Sequence, residues 1–227
     1  LRFLRALQRP SGCSEVGIGM HGLVNKAMQS FFSDSFGVPA WREIASRAGL
    51  GCVLDADGFE AMQSYDDAVT VAMLDAAAAT LRRPRESLLE DMGTYLVSNE
   101  RMEPLRRLLR FGGVSFTDFL HSLDDLQGRS RMAVADLSLP ELSISELDSD
   151  SYSLLVRGQM PGFGHMMVGI LRALADDYGA LAVLEHTGEG TGCCSGNDGI
   201  TCETIRIDVH DPAFQAAKGF ELAAESY

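Results

Sequence analysis

The sequence predicts an α+β chain in which helices come first and a small, mostly antiparallel sheet with one packed helix follows. Three observations carry this. Apolar residues recur at i, i+3, i+4 and i+7 through the first two thirds of the chain, and after Ala135 they alternate instead. One helical stretch then interrupts the alternating segments. Because helices and strands are segregated rather than interleaved, a doubly wound nucleotide-binding sheet is disfavoured.

Taken in order, Leu23, Val24, Ala27, Met28, Phe31, Phe32 and Phe36 line one face of a helix that starts at Met20 and is ended by Gly37 and Pro39. Ala40 to Ala48 makes a second helix, stopped by Gly49. Tyr65 to Leu81 follows Ser64 as N-cap and ends before Pro84. Arg85 to Val97 comes next, then 101–110 and 115–127, separated by Gly112-Gly113. Strands are expected at Leu139–Leu147, Ser151–Gly158, Ala180–His186 and Thr201–Val209, the last with Ile205, Ile207 and Val209 on one face. The helix Gly164–Tyr178 lies between the second and third strands, and Asp211–Tyr227 reads as an Ala-rich terminal helix.

These elements divide the chain into an extension (1–19), one domain (20–209, helical to 135 and sheet plus helix from 136) and a tail (210–227). Arg2, Arg5 and Arg9 break the apolar run of the extension, which argues against a signal peptide. With 227 residues, 46% of them hydrophobic, the chain can build a substantial core. Its net charge of -13 opposes nucleic acid and anionic membranes, both of which are bound through clustered Lys and Arg. No window approaches the ~18 uninterrupted apolar residues of a membrane span. Five Cys, three of them within 193–202, do not make a disulfide framework, so a reduced, cytoplasmic setting is expected.

Catalytic machinery is not legible. The pairs Asp66-Asp67, Asp124-Asp125 and Asp176-Asp177 fall on expected helices, where neighbours point about 100° apart, and read as solvated faces. There is no G-x-S-x-G, no H-E-x-x-H and no glycine-rich phosphate loop opening a helix.

Five phrases, MHGLVNKAMQSFF, FGVPAWREIASRAGL, YDDAVT, LLEDMGTYL and FTDFLHSLDDL, occur in an order and spacing that resembles the heme nitric oxide/oxygen binding (H-NOX) family, from Met20 to about Val209. The resemblance implies a regulatory sensor of the bacterial stand-alone type, without catalysis of its own, related to the domains that precede soluble guanylate cyclase modules. It implies heme held between the helical part and the sheet, nitric oxide sensing, and a signalling partner such as a histidine kinase or a cyclic-di-GMP enzyme. Pocket positions carried over from the family are Val24, Met28 and Leu74 on the distal side, all apolar, and Pro140 against the porphyrin.

Two family signatures are altered. The iron-ligating His belongs to a phrase like FL-x-x-LD-x-LH, and in FLHSLDDLQ that position is Gln127, whose amide oxygen is a weak ligand beside an imidazole. His121 lies six residues earlier, about 240° round and about 9 Å along a continuous helix, and so does not replace it. The Tyr-x-Ser-x-Arg set that clamps the propionates falls on Val156, Gly158 and Met160, none of which donates from its side chain. Arg157 is adjacent, but strand alternation turns it to the other face. The expectation is a sensor with impaired or lost His-ligated heme, in which Gln127→His regains some iron ligation. The alternative is a nitric oxide sensor with His121 or His165 as iron ligand.

His186, Cys193, Cys194 and Cys202 surround a Gly-rich strand connection. Zinc takes four N or S donors, and some relatives carry a His/Cys zinc site in this loop. The spacing His-x6-Cys-Cys-x7-Cys is not a standard knuckle, so zinc, a thiol redox switch and inert thiols all stay open.

Overall fold

Gly22 fixes how the described chain begins. Its N–H donates to the Gln63 carbonyl at 2.7 Å, and a Cβ at Gly22 would overlap the Glu60 carbonyl oxygen. Met20–His21 is therefore drawn into a short strand, β1, antiparallel to β2 (Ser64–Tyr65), and α1 begins only at Gly22 and runs to Phe36. The computed structural model describes residues 20–52, 58–110, 113–133, 139–189 and 200–210. The expected extension 1–19, the terminal helix and the positions Cys193 and Cys194 lie outside these residues.

Two helix boundaries differ from expectation for local reasons. Pro39 starts α2 (Val38–Arg47) rather than stopping α1: proline lacks an N–H where the first turn needs none, and Gly37 at φ +88° makes the break. Helix α3 (Asp67–Leu81) is capped by Asp66, whose Oδ1 accepts from the Ala68 N–H at 2.8 Å, and not by Ser64, which belongs to β2. Helix α4 follows at Arg85–Ser98; a 3-10 turn over Glu100–Met102 then leads into α5 (Glu103–Arg110).

The expected helix over 115–127 is interrupted. It opens with a capping box between Ser115 and Asp118, forms α6 (Phe116–His121), tightens to a 3-10 turn over Ser122–Asp125, and resumes as α7 (Leu126–Ala133). Side chains compete there with the helical ladder: Ser122 Oγ donates to the Phe119 carbonyl at 2.7 Å, and Arg129 Nη2 donates to the Ser122 carbonyl at 2.7 Å. Asp124 Oδ1 accepts from the Ile144 N–H at 2.8 Å and pins this turn to the sheet. Two of the acidic pairs thus do structural work beyond a solvated face, as does Asp177, which accepts two bonds from Arg106.

The sheet comprises β3 (Glu141–Asp148), β4 (Ser151–Gly158), β5 (Leu181–Glu189) and β6 (Thr201–His210) in the order β3-β4-β6-β5, every neighbouring pair antiparallel. Alternation sends Leu154, Val156, Ile205 and Ile207 to the inner face, where all are at most 2% exposed. Helix α8 (Phe163–Tyr178) covers that face and is nearly apolar all round because α4 packs on its far side. At that crossing a Cβ on Gly169 would overlap the Glu90 carbonyl oxygen, and one on Gly93 the Met166 carbonyl oxygen. The two glycines set how closely the helical part and the sheet layer approach each other.

Farther out, Phe32 and Trp41 stack at 6.5 Å and Phe59 meets Tyr65 edge-on at 5.0 Å, which closes α1 and α2 over the β1–β2 pair. Thr70 donates to Asn25 Oδ1 at 2.7 Å, a buried polar tie between α3 and α1.

Candidate functional site

Gln127 sits in the first turn of α7, half-buried, and its Nε2 donates to the Leu139 carbonyl oxygen at 3.0 Å just ahead of β3. The positions expected at the distal pocket are closely covered: Met28 is 0% and Leu74 1% exposed, and Val24 is partly buried against the same core. On the sheet side Val156 is 2% and Met160 7% exposed. The Pro140 Cβ lies 3.1 Å from where a Cβ on Gly158 would stand, so two expected porphyrin neighbours pack on each other. Arg157 points outward, as alternation requires, and faces Glu141 at 3.8 Å.

Neither histidine proposed as a substitute iron ligand is unengaged. His121 Nε2 lies 3.2 Å from Glu146, with its ring edge-on to Tyr152 at 5.7 Å and its side chain 45% exposed. His165, in the first turn of α8, has Nδ1 at 3.5 Å from Glu90 and stacks on His186 with ring centroids 4.0 Å apart.

The expected His186/Cys202 grouping is not assembled. His186 Nε2 lies 2.8 Å from Glu203 Oε2, and Cys202, next to Glu203 on β6, falls on the opposite face of the strand. Cys202 is 3% exposed and disulfide-bonded. Glu203, which sequence reasoning missed, is 4% exposed, and its carboxylate accepts from the Gly162 N–H at 2.7 Å and the Gly164 N–H at 3.2 Å. Glu90 was missed as well; it faces both His165 and Arg172. Glu90 lies within LLEDMGTYL but spacing gives it no role there, Glu203 belongs to none of the five phrases, and only the packing of α4, α8, β5 and β6 brings the two acids to the histidines.

A family model described as haem-NO-binding matches residues 21–186, which run from the end of β1 through most of β5. The chain belongs to the haem-NO-binding (H-NOX) family. Among curated relatives it is 20% identical over 179 residues to soluble guanylate cyclase 89Da of Drosophila melanogaster, covering 78% of this chain and 26% of that protein. It is 22% identical over 158 residues to soluble guanylate cyclase gcy-31 of Caenorhabditis elegans, covering 70% and 22%. The chain thus spans about a quarter of the length of these relatives. Among solved structures it superimposes on a mutant H-NOX domain of T. tengcongensis with a TM-score of 0.68 at 14% identity, covering 86% of this chain and 100% of that one. An oxygen-binding H-NOX domain described as related to soluble guanylate cyclases gives 0.64 at 14% identity, covering 86% and 97%. The likeness to solved structures establishes the H-NOX fold.

The H-NOX family binds heme, and the residues of this member can be tested against that group. Gln127, the residue expected from the resemblance at the ligand position, has its amide bonded to a main-chain carbonyl. Val156, Gly158 and Met160 offer propionates no side-chain donor, and Met28, Leu74 and Val156 have protein rather than open space against them. These residues do not fit a His-ligated heme. Among the described residues no helix is long and apolar enough to cross a membrane.

Proposed function

We propose that this H-NOX domain is a regulatory module that has given up His-ligated heme and signals through protein contacts, without catalysis of its own. The observation that carries this reading is Gln127 at the ligand position with its amide committed to Leu139. An amide oxygen has little affinity for ferrous heme, while an imidazole nitrogen binds it well. The loss of side-chain donors at Val156, Gly158 and Met160 supports the same conclusion independently.

The proposed partner is a signalling enzyme such as a histidine kinase or a cyclic-di-GMP enzyme, in a bacterial cytoplasm. The guanylate cyclase relatives, about a quarter of whose length matches, support a domain whose conformation is read by a separate output module. The test is the absorption spectrum of the protein expressed with added hemin. The expected result is no Soret band that shifts on nitric oxide addition. A stoichiometric, nitric-oxide-responsive Soret band would instead establish a heme sensor with another ligand, and His121→Ala and His165→Ala would then identify it.

A further inference from the structure

We propose that His165, His186 and Glu203 bind one divalent transition-metal ion, with Zn2+ the best chemical match. One donor atom from each of the three lies within 4.8 Å of the others, and the side chains are only 19%, 15% and 5% exposed. The residues come from three elements: His165 from the first turn of α8, His186 from β5 and Glu203 from β6.

Three features make this a built site. The Glu203 carboxylate is held by N–H groups of Gly162 and Gly164, and a carboxylate with about four acceptor positions keeps one for an ion beyond those two bonds and the His186 contact. Glu90 stands 3.5 Å from His165 Nδ1 and is itself held by Arg172 at 3.3 Å. A carboxylate behind one imidazole nitrogen fixes the tautomer and leaves Nε2 for the metal, the arrangement usual around zinc-bound histidines. Finally, Gly164 carries no side chain where one would intrude: a Cβ there would stand 2.6 Å from Glu203 Oε2 and 2.8 Å from His186 Nε2.

Two imidazoles and one carboxylate suit Zn2+, whose donors stand about 2.0–2.2 Å from the ion and leave a fourth position for water. To bind it, the 2.8 Å approach of His186 to Glu203 opens slightly and His165 turns inward, so that the donors reach the roughly 3.3 Å spacing of a tetrahedron. The ion then cross-links the start of α8 to β5 and β6. This set shares only His186 with the His/Cys grouping suggested by the sequence. It rests on no heme chemistry, so it stands or falls apart from the proposed function.

The test uses the full chain, dialysed against Zn2+ for metal content and melted with and without it, with Co2+ as spectroscopic probe. The expected result is one Zn2+ per chain, a zinc-dependent rise in Tm, and a Co2+ spectrum without a thiolate charge-transfer band. His165→Ala should lower Zn2+ affinity by at least about 100-fold and Glu90→Gln by about 10- to 100-fold, whereas Cys193→Ser with Cys194→Ser should leave it unchanged. Circular dichroism establishes that each variant is folded, and His165→Asn replaces His165→Ala if the latter is not. A folded wild-type chain that takes up no Zn2+, a Co2+–thiolate band, or full affinity in the folded His165 variant would overturn the proposal.

Discussion

The amide of Gln127 is bonded to the Leu139 carbonyl oxygen at 3.0 Å, so this residue ties the start of α7 to the approach of β3. On sequence alone Gln127→His should regain iron ligation. Packing reverses that expectation, because Met28, Leu74 and Val156 are covered by protein and one restored imidazole does not open the space a porphyrin needs. Hemin titration followed in the Soret region should show no more uptake by Gln127→His than by wild type. Gln127→Ala should cost about 1 kcal/mol in urea unfolding through loss of the Leu139 bond.

The α4–α8 crossing should be the least tolerant place in the fold. Gly169→Ala forces a methyl group onto the Glu90 carbonyl oxygen and Gly93→Ala one onto that of Met166, and main chain cannot step aside as a flexible side chain can. Each substitution should cost about 3 kcal/mol or more, at the upper end of overpacking effects. Gly179→Ala, which meets no atom within 4 Å but sits at φ +67°, should cost only the roughly 1 kcal/mol of a non-glycine residue in that conformation. Chemical denaturation of the three variants checks the order.

Arg106 holds Asp177 by two parallel bonds of 2.7 and 2.6 Å, joining α5 to the end of α8. Paired geometry and partial burial lift this bridge above most surface pairs, yet solvent still screens it, with side chains 38% and 21% exposed. Asp177→Asn should cost about 1 kcal/mol, and the difference from wild type should shrink in high salt. Melting at two ionic strengths measures both.

Two groups give opposite pH dependences. Burial, together with the bond it donates to Asp34 at 2.8 Å, pushes the Tyr95 hydroxyl up to about 12 from its ordinary 10.0. Its proton is held more tightly in the folded chain, so its contribution is fully present below pH 10 and is lost as pH rises towards about 12. Tyr95→Phe should flatten the alkaline fall in stability, and tyrosinate absorbance should report one late-titrating phenol. Asp118 behaves inversely: hydrogen bonds with Ser115 hold its carboxyl below the ordinary 3.8, so its contribution is present above that value and is lost as pH falls through the lower folded one. Asp118→Asn should remove that acid-side dependence, seen as a shallower drop in Tm.

The haem-NO-binding fold was legible because it is written in periodicity. Helical spacing from Leu23 to Phe36 and the alternation at Ile205, Ile207 and Val209 depend on neighbours in sequence. The limits of several elements followed directly, such as β4 at Ser151–Gly158. Errors arose where a local rule had two outcomes. A proline can end one helix or open the next, and Pro39 opens α2 behind the break at Gly37, while in 115–127 the hydroxyl of Ser122 and the guanidinium of Arg129 take carbonyls that a continuous helix would keep.

What the sequence determined by itself was the order of elements and the apolar faces. The tertiary structure decided what those residues touch: Gln127 reaches Leu139 twelve residues on, and Glu203 joins His165 and His186 only because α8, β5 and β6 converge. Periodicity is set by the backbone of one segment, whereas a site is set by how separate segments cross. The Gly93 and Gly169 contacts that fix the α4–α8 crossing bring Glu90 and His165 together across 75 residues of chain, a juxtaposition that spacing does not encode.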